Sequence, residues 1–256
     1  MRTRLSVAVT GALISLGLAV AGCSGSATPT QTSTLTIYAA ASMQTTFDTL
    51  KTAFEAEHPG TTVMLNYAGS QALATQLVEG ATADVFVSAN DTQMKVVTDA
   101  GLNATDPRVF ATNQLQIAVP PSNPAAISTF ADLTNPEVKL VVCAPAVPCG
   151  AATVKVEKAT GVTLAPVSEE QAVTSVLSKV QAGEADAGLV YKTDVIAAGD
   201  TVTGIEFPES SEAINRNPVV LLKSAPHGEL GQAWIDLLFS EQGQQVFADA
   251  GFGAAQ

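Results

Sequence analysis

The chain has 256 residues, 46% of them hydrophobic, enough to bury the core of one large domain or two small ones. Its formal net charge is -12 at pH 7, which makes nucleic acid and anionic membrane surfaces poor partners. A small anion is not excluded, because oriented local N–H groups outweigh distant, screened carboxylates.

Residues 1–22 read as a signal peptide outside the fold. Arg2 and Arg4 precede a charge-free apolar run from Leu5 to Ala21, and the stretch closes on Val20-Ala-Gly-Cys23. Small residues before a cysteine mark cleavage, and the pattern resembles the lipobox of bacterial lipoproteins, which makes Cys23 the lipidated first residue of the mature chain. The alternative is a transmembrane anchor, for which about seventeen residues is short, and no stop-transfer charges follow. Residues 23–33, rich in Ser, Thr, Gly and Pro, read as a flexible tether.

Strands and helices then alternate. Leu35 to Tyr38 is strand-like; after three alanines and Ser42, the spacing of Phe47, Leu50 and Phe54 is helical as far as Glu57, where His58-Pro59-Gly60 stops it. Ser42 therefore stands at a strand-to-helix junction, where unpaired N–H groups and the macrodipole favour an anion. Thr61 to Tyr67 is a β-branched strand, Ala68-Gly69-Ser70 a turn, and Gln71 to Glu79 a helix, so Ser70 repeats the placement of Ser42. Val85 to Val87 is a buried strand, and Thr92 to Ala100 a helix closed by Gly101. Repeated βαβ units imply parallel sheets with ligands at the carboxyl ends of the strands.

Leu115 to Val119 is a strand stopped by Pro120-Pro121, after which a second unit starts. It holds a helical turn at Phe130 to Leu133, a strand at Lys139 to Val142, a loop at Cys143 to Gly150 and a helix from Ala151 to Ala159. Glu169 to Gln181 reads as one amphipathic helix, and Ala187 to Tyr191 as a strand running into a small turn and a helix through Ala198. Val219 to Leu222 returns the chain to the first unit, and two helices around Trp234 and Phe247 close it. The stretches 120–124 and 208–211 mark the crossings, dividing the chain into one lobe of 34–120 plus 206–256 and another of 121–205.

Catalytic constellations are thin. The two histidines, His58 and His227, sit at a helix stop and a helix start, and there is no G-x-S-x-G elbow, no C-x-x-C or H-x-x-H spacing and no phosphate-binding loop. With Cys23 assigned to the lipid, Cys143 and Cys149 remain, six positions apart; an exported chain favours a disulfide over free buried thiols. Such a bridge stiffens Cys149-Gly150 at the start of the next helix, a third place where free N–H groups can face a ligand.

Tyr-Ala-Ala-Ala-Ser42, Tyr-Ala-Gly-Ser70, Ala83-Asp-Val-Phe-Val-Ser-Ala89, Val147-Pro-Cys-Gly150, Gly188-Leu-Val-Tyr191-Lys-Thr-Asp194 and Val246-Phe-Ala-Asp-Ala-Gly-Phe252 together resemble the molybdate-binding proteins of bacterial ABC importers, from Leu35 to Gly253. The resemblance implies an α/β, two-lobed type II periplasmic-binding-protein fold, each lobe a mixed, mostly parallel sheet flanked by helices, with the ligand in the cleft. It implies hydroxyl and N–H donors from Ser42 and Ser70, backbone N–H donors from Cys149 and Val173, and the phenol of Tyr191, all around an oxyanion with no direct metal ligand and no cofactor. The family commonly carries a small residue other than cysteine at position 149.

The expected function is that of an extracytoplasmic solute-binding lipoprotein, monomeric and not an enzyme, that delivers molybdate or tungstate to an ABC transporter permease. Sulfate or thiosulfate in the same fold is the runner-up. A serine hydrolase lacks a placed histidine, and a structural or adhesive lipoprotein leaves the serine-turn pattern without purpose.

Overall fold

The computed structural model describes residues 32–255; the signal peptide, Cys23 and the tether up to residue 31 lie outside the described residues. The first strand, β1 (Ser33–Ala40), takes in Ser33, which the sequence reading had placed in the tether: Ser33 already stands opposite Thr61 in a parallel ladder. A single 3-10 turn at Ala41–Met43 carries β1 into α1 (Gln44–Glu57). There follow β2 (Thr61–Ala68), α2 (Ser70–Val78), β3 (Val85–Val87), α3 (Asp91–Asp99) and β4 (Arg108–Asn113). The next elements are β5 (Leu115–Val119), β6 (Leu140–Cys143), α4 (Pro148–Thr160), β7 (Ser168–Glu170), α5 (Val173–Gln181), β8 (Ala187–Tyr191), α6 (Lys192–Ala198) and β9 (Thr203–Ile205). The chain ends in β10 (Asn215–Leu221), α7 (Gly228–Phe239), α8 (Glu241–Asp249) and the short β11 (Gly253–Ala254).

Two mixed sheets result. The first runs β11-β4-β10-β3-β1-β2, with β1, β2 and β3 parallel and β10 antiparallel to both its neighbours. The second runs β7-β6-β8-β5-β9, with β6, β7 and β8 parallel and β5 antiparallel to β8 and β9. Each sheet has its own core. In the first lobe the helical spacing of Phe47 and Phe54 brings both rings edge-on to Trp234, each at 5.4 Å between centroids. In the second, Ile117, Leu140, Val176 and Leu189 are fully buried together.

The lobe boundaries fall elsewhere than the sequence suggested. Leu115–Val119 pairs with β8 and β9, so β5 belongs to the second sheet and the crossing is Gln114, not residues 120/121. The return crossing is Ile214, because β9 still pairs with β5 and β10 begins at Asn215; the expected 205/206 is too early. A short strand buried on both faces reads the same in either sheet, and Pro120-Pro121 ends a strand without leaving the lobe. The expected helix over Glu169–Gln181 is also two elements: Ser168–Glu170 pairs with β6 as β7, and the helix starts at Val173.

Candidate functional site

The site is assembled where strands end and helices begin. Ser42 lies in the 3-10 turn after β1, and Ser70 is the first residue of α2 after β2. Cys149 is the second residue of α4, Val173 the first of α5, and Tyr191 ends β8 and caps α6. All five residues expected from sequence line one small cavity, together with Ala40, Ala41, Gly69, Ala89, Val147 and Pro148. No lining residue is charged.

Helix starts leave N–H groups without intrahelical partners. In α2 the Gly69 carbonyl takes the amides of Ala72 and Leu73; in α4 the Val147 carbonyl takes that of Ala151; in α5 the Ala172 carbonyl takes that of Ser175. The amides of Ser70, Cys149 and Val173 precede these bonds and point along the positive ends of their helices. Because α5 starts at Val173, that amide is free; in the middle of a longer helix it would be consumed by the helix itself.

The hydroxyls are poised in the same sense. Ser42 Oγ is buried and has no hydrogen-bond partner among the described residues. Ser70 is 1% exposed, and its Oγ accepts the Ala89 N–H at 3.0 Å, which leaves the hydroxyl proton uncommitted. Tyr191 is fully buried, and its phenol oxygen accepts from Asn215 Nδ2 at 2.9 Å, while the same nitrogen donates to the Ala89 carbonyl at 2.8 Å. Burial and the neighbouring Asp194 push the Tyr191 pKa far up, so the phenol keeps its proton. Asp194 accepts the Tyr191 N–H at 2.9 Å, and burial pushes its carboxyl up to about 7.

The Cys143–Cys149 disulfide is formed, with Cα atoms 5.7 Å apart. It folds the loop so tightly that the Ala144 carbonyl occupies the place of a Cβ on Gly150, which explains a glycine at that point of a helix. A larger cleft of about 580 Å³ adjoins Ser42 on its other side, lined by Thr45, Thr174, Asp194 and Asp249 among others. Its two carboxyl groups make it the poorer anion site. Among the described residues no group of three or more His, Cys, Asp or Glu side chains lies close enough to hold a metal ion. Neither histidine is near the small cavity: His58 stacks on Phe54 at 4.0 Å, and His227 Nδ1 lies 3.9 Å from Asp84.

Sequence reasoning missed Asn215, Ala89 and Gly69. Ala89 could have been found, as it follows a buried strand at the carboxyl edge of the first sheet. Asn215 carried no signal, because it lies upstream of the apolar stretch that marked β10.

Residues 35–253 match the bacterial extracellular solute-binding protein family. The chain is similar to the molybdate-binding protein ModA of Mycobacterium tuberculosis, with 43% identity over 253 residues and 97% of each chain covered. It is also similar to the putative ABC transporter substrate-binding lipoprotein YvgL of Bacillus subtilis, at 30% identity over 93% of this chain and 94% of the other. The periplasmic molybdate-binding protein of Azotobacter vinelandii superposes with a TM-score of 0.76 over 87% of this chain and 100% of that one, at 19% identity. That likeness is one of fold: two helix-flanked sheets in the type II periplasmic-binding arrangement.

Proposed function

Because the chain belongs to the bacterial extracellular solute-binding proteins, it captures a solute and transforms none, and we propose that this solute is molybdate, with tungstate as its equivalent. The observation that carries the reading is an uncharged cavity between the lobes, bordered by the first turns of helices and by hydroxyl groups from both sides. The binding groups are the hydroxyl and amide of Ser42 and Ser70, the amides of Cys149 and Val173, and the phenol of Tyr191. The 43% identical Mycobacterium tuberculosis relative bears the name of a molybdate-binding protein, which supports the same ligand here.

The donor set accounts for the ligand's charge state. A fully deprotonated tetrahedral dianion only accepts hydrogen bonds, and a ring of N–H and O–H donors satisfies it without a counter-ion. Hydrogen phosphate brings a proton that finds no acceptor, at about 1–3 kcal/mol or more. Sulfate is matched in charge and hydrogen bonding and is discriminated by its shorter bonds. The loaded protein then hands the anion to an ABC transporter permease, which recognises the surface formed when the lobes close. The protein works outside the cytoplasm as a monomer, held to the membrane by a lipid on Cys23; Val20-Ala-Gly-Cys23 and the lipoprotein designation of YvgL support the anchor.

Thermal unfolding of the purified protein with molybdate, tungstate, sulfate or phosphate tests the reading. A ligand at one hundred times its dissociation constant stabilises by about 2.7 kcal/mol. The expected outcome is a clear rise with molybdate and tungstate and none with phosphate. A rise with phosphate, or with none of the four, overturns it.

A further inference from the structure

Ala89 follows β3 in the first lobe and is linked to two of the three hydroxyl-bearing residues of the cavity, to Ser70 directly and to Tyr191 through one side chain. Its N–H donates to Ser70 Oγ at 3.0 Å. Its carbonyl accepts from Asn215 Nδ2 at 2.8 Å, and that nitrogen also donates to Tyr191 Oη at 2.9 Å. All the partners are buried: Asn215 is 6% exposed, Ala89 3%, Ser70 1% and Tyr191 1%.

The chemistry of these contacts fixes the direction of each bond. A backbone carbonyl only accepts, so the amide nitrogen of Asn215, not its oxygen, faces Ala89. The second hydrogen on that nitrogen then meets the phenol oxygen, which acts as acceptor and keeps its own hydrogen for the cavity. At Ser70 the backbone N–H only donates, so the hydroxyl oxygen is again the acceptor and its hydrogen is again free. The N–H and the carbonyl of one residue thus leave two hydroxyls from opposite lobes as donors, Ser70 directly and Tyr191 through Asn215.

We infer that Asn215, held in orientation by the Ala89 carbonyl, is a specificity-determining positioning residue that makes Tyr191 an obligate donor and so excludes protonated oxyanions. The inference rests on the oxyanion reading given above and deepens it. A tyrosine hydroxyl left alone can turn and accept, which would admit the proton of hydrogen phosphate or hydrogen arsenate. With Asn215 on its oxygen, that rotation loses a buried hydrogen bond.

The test is a double-mutant cycle of Asn215→Leu and Tyr191→Phe, with Asn215→Ala as a smaller second replacement should the leucine not fold. Binding of molybdate, tungstate, sulfate and phosphate is measured calorimetrically at mildly alkaline pH, where inorganic phosphate is the singly protonated dianion. With Tyr191 present, loss of the Asn215 amide should lower molybdate affinity about tenfold and raise the phosphate-to-molybdate affinity ratio by about tenfold or more. In the Tyr191→Phe background the same replacement should change either quantity by less than about twofold. Equal losses in both backgrounds, or an unchanged anion ratio, would mean a purely structural asparagine and overturn the inference. Failure of the wild type to bind molybdate overturns the ligand assignment instead, and the cycle is then read with sulfate or tungstate. If none of these dianions binds, both fall.

Discussion

Gly69 of the first lobe and Gln171 of the second are in contact across the cleft: the Gln171 carbonyl lies where a Cβ on Gly69 would stand. Gly69 has φ -59° and ψ 136°, a backbone that any residue adopts, so the glycine is there for the approach of the other lobe and not for its own conformation. Two side-chain bonds span the same rim, from Gln71 Nε2 to the Gln171 carbonyl at 2.9 Å and from Gln93 Nε2 to the Ala146 carbonyl at 3.0 Å. Gly69→Ala should therefore hold the lobes apart. Calorimetric affinity for the anion is expected to fall about tenfold or more, while the unfolding free energy without ligand stays within about 1 kcal/mol of the parent. Equal affinity would mean that the lobes need not meet here.

Ser42 Oγ is buried without a partner among the described residues, so its removal breaks no hydrogen bond seen there. Ser42→Ala is expected to leave unliganded stability unchanged or slightly raised. A hydrogen bond to a charged ligand contributes about 1.5–3 kcal/mol, so affinity for every tetrahedral dianion should drop roughly ten- to one-hundredfold. Unchanged affinity in that variant removes Ser42 from the binding set.

The Cys143–Cys149 bridge closes a loop with a sequence separation of only 6, for which the chain-entropy account gives about 2 kcal/mol. Reduction, or paired replacement by alanine, should lower the unfolding free energy by that order in chemical denaturation. The contact expected at position 149 is a main-chain N–H, so the anion affinity should change much less than in Ser42→Ala. A loss of affinity as large as that of Ser42→Ala would show that the bridge positions the α4 amide.

Asp194 makes stability depend on pH. Burial holds its carboxyl at about 7, against 3.8 for an unhindered aspartate, so the folded chain keeps a proton that the unfolded chain releases. Its contribution to stability is complete below the unfolded value and is lost as pH rises through the folded one, by at most roughly 4 kcal/mol. Asp194→Asn preserves an acceptor for the Tyr191 N–H and does not titrate. Urea unfolding at about pH 5 and about pH 8 should therefore show a steeper loss of stability with rising pH in the parent than in the variant. Parallel slopes would mean that the carboxyl is ionised throughout.

Most of the candidate site's lining is legible in the sequence because it is local. Ser42, Ser70 and Cys149 each follow a strand signal and open a helix, and a helix start exposes N–H groups whatever lies around it. Val173 was the hardest of the five, since the valine spacing reads as one helix back to Glu169; only pairing of Ser168–Glu170 with β6 frees its amide. What sequence could not carry depends on contacts between distant segments. β4 and β5 are separated by Gln114 alone and enter different sheets, a choice made by partners far along the chain. Asn215 bonds to Ala89 across 126 positions and to Tyr191 across 24, and nothing in its neighbours announces either bond.

The central claim is that an uncharged ring of donors between the lobes holds the oxyanion. A crystal structure of the protein grown with tungstate tests it most directly, because tungsten's anomalous scattering locates the metal atom independently of the protein. One strong peak is expected among Ser42, Ser70, Cys149, Val173 and Tyr191, with its oxygens about 2.7–3.1 Å from their N–H and O–H groups. A peak in the acidic cleft beside Asp194 and Asp249, or beside a lysine or arginine on the surface, would contradict it.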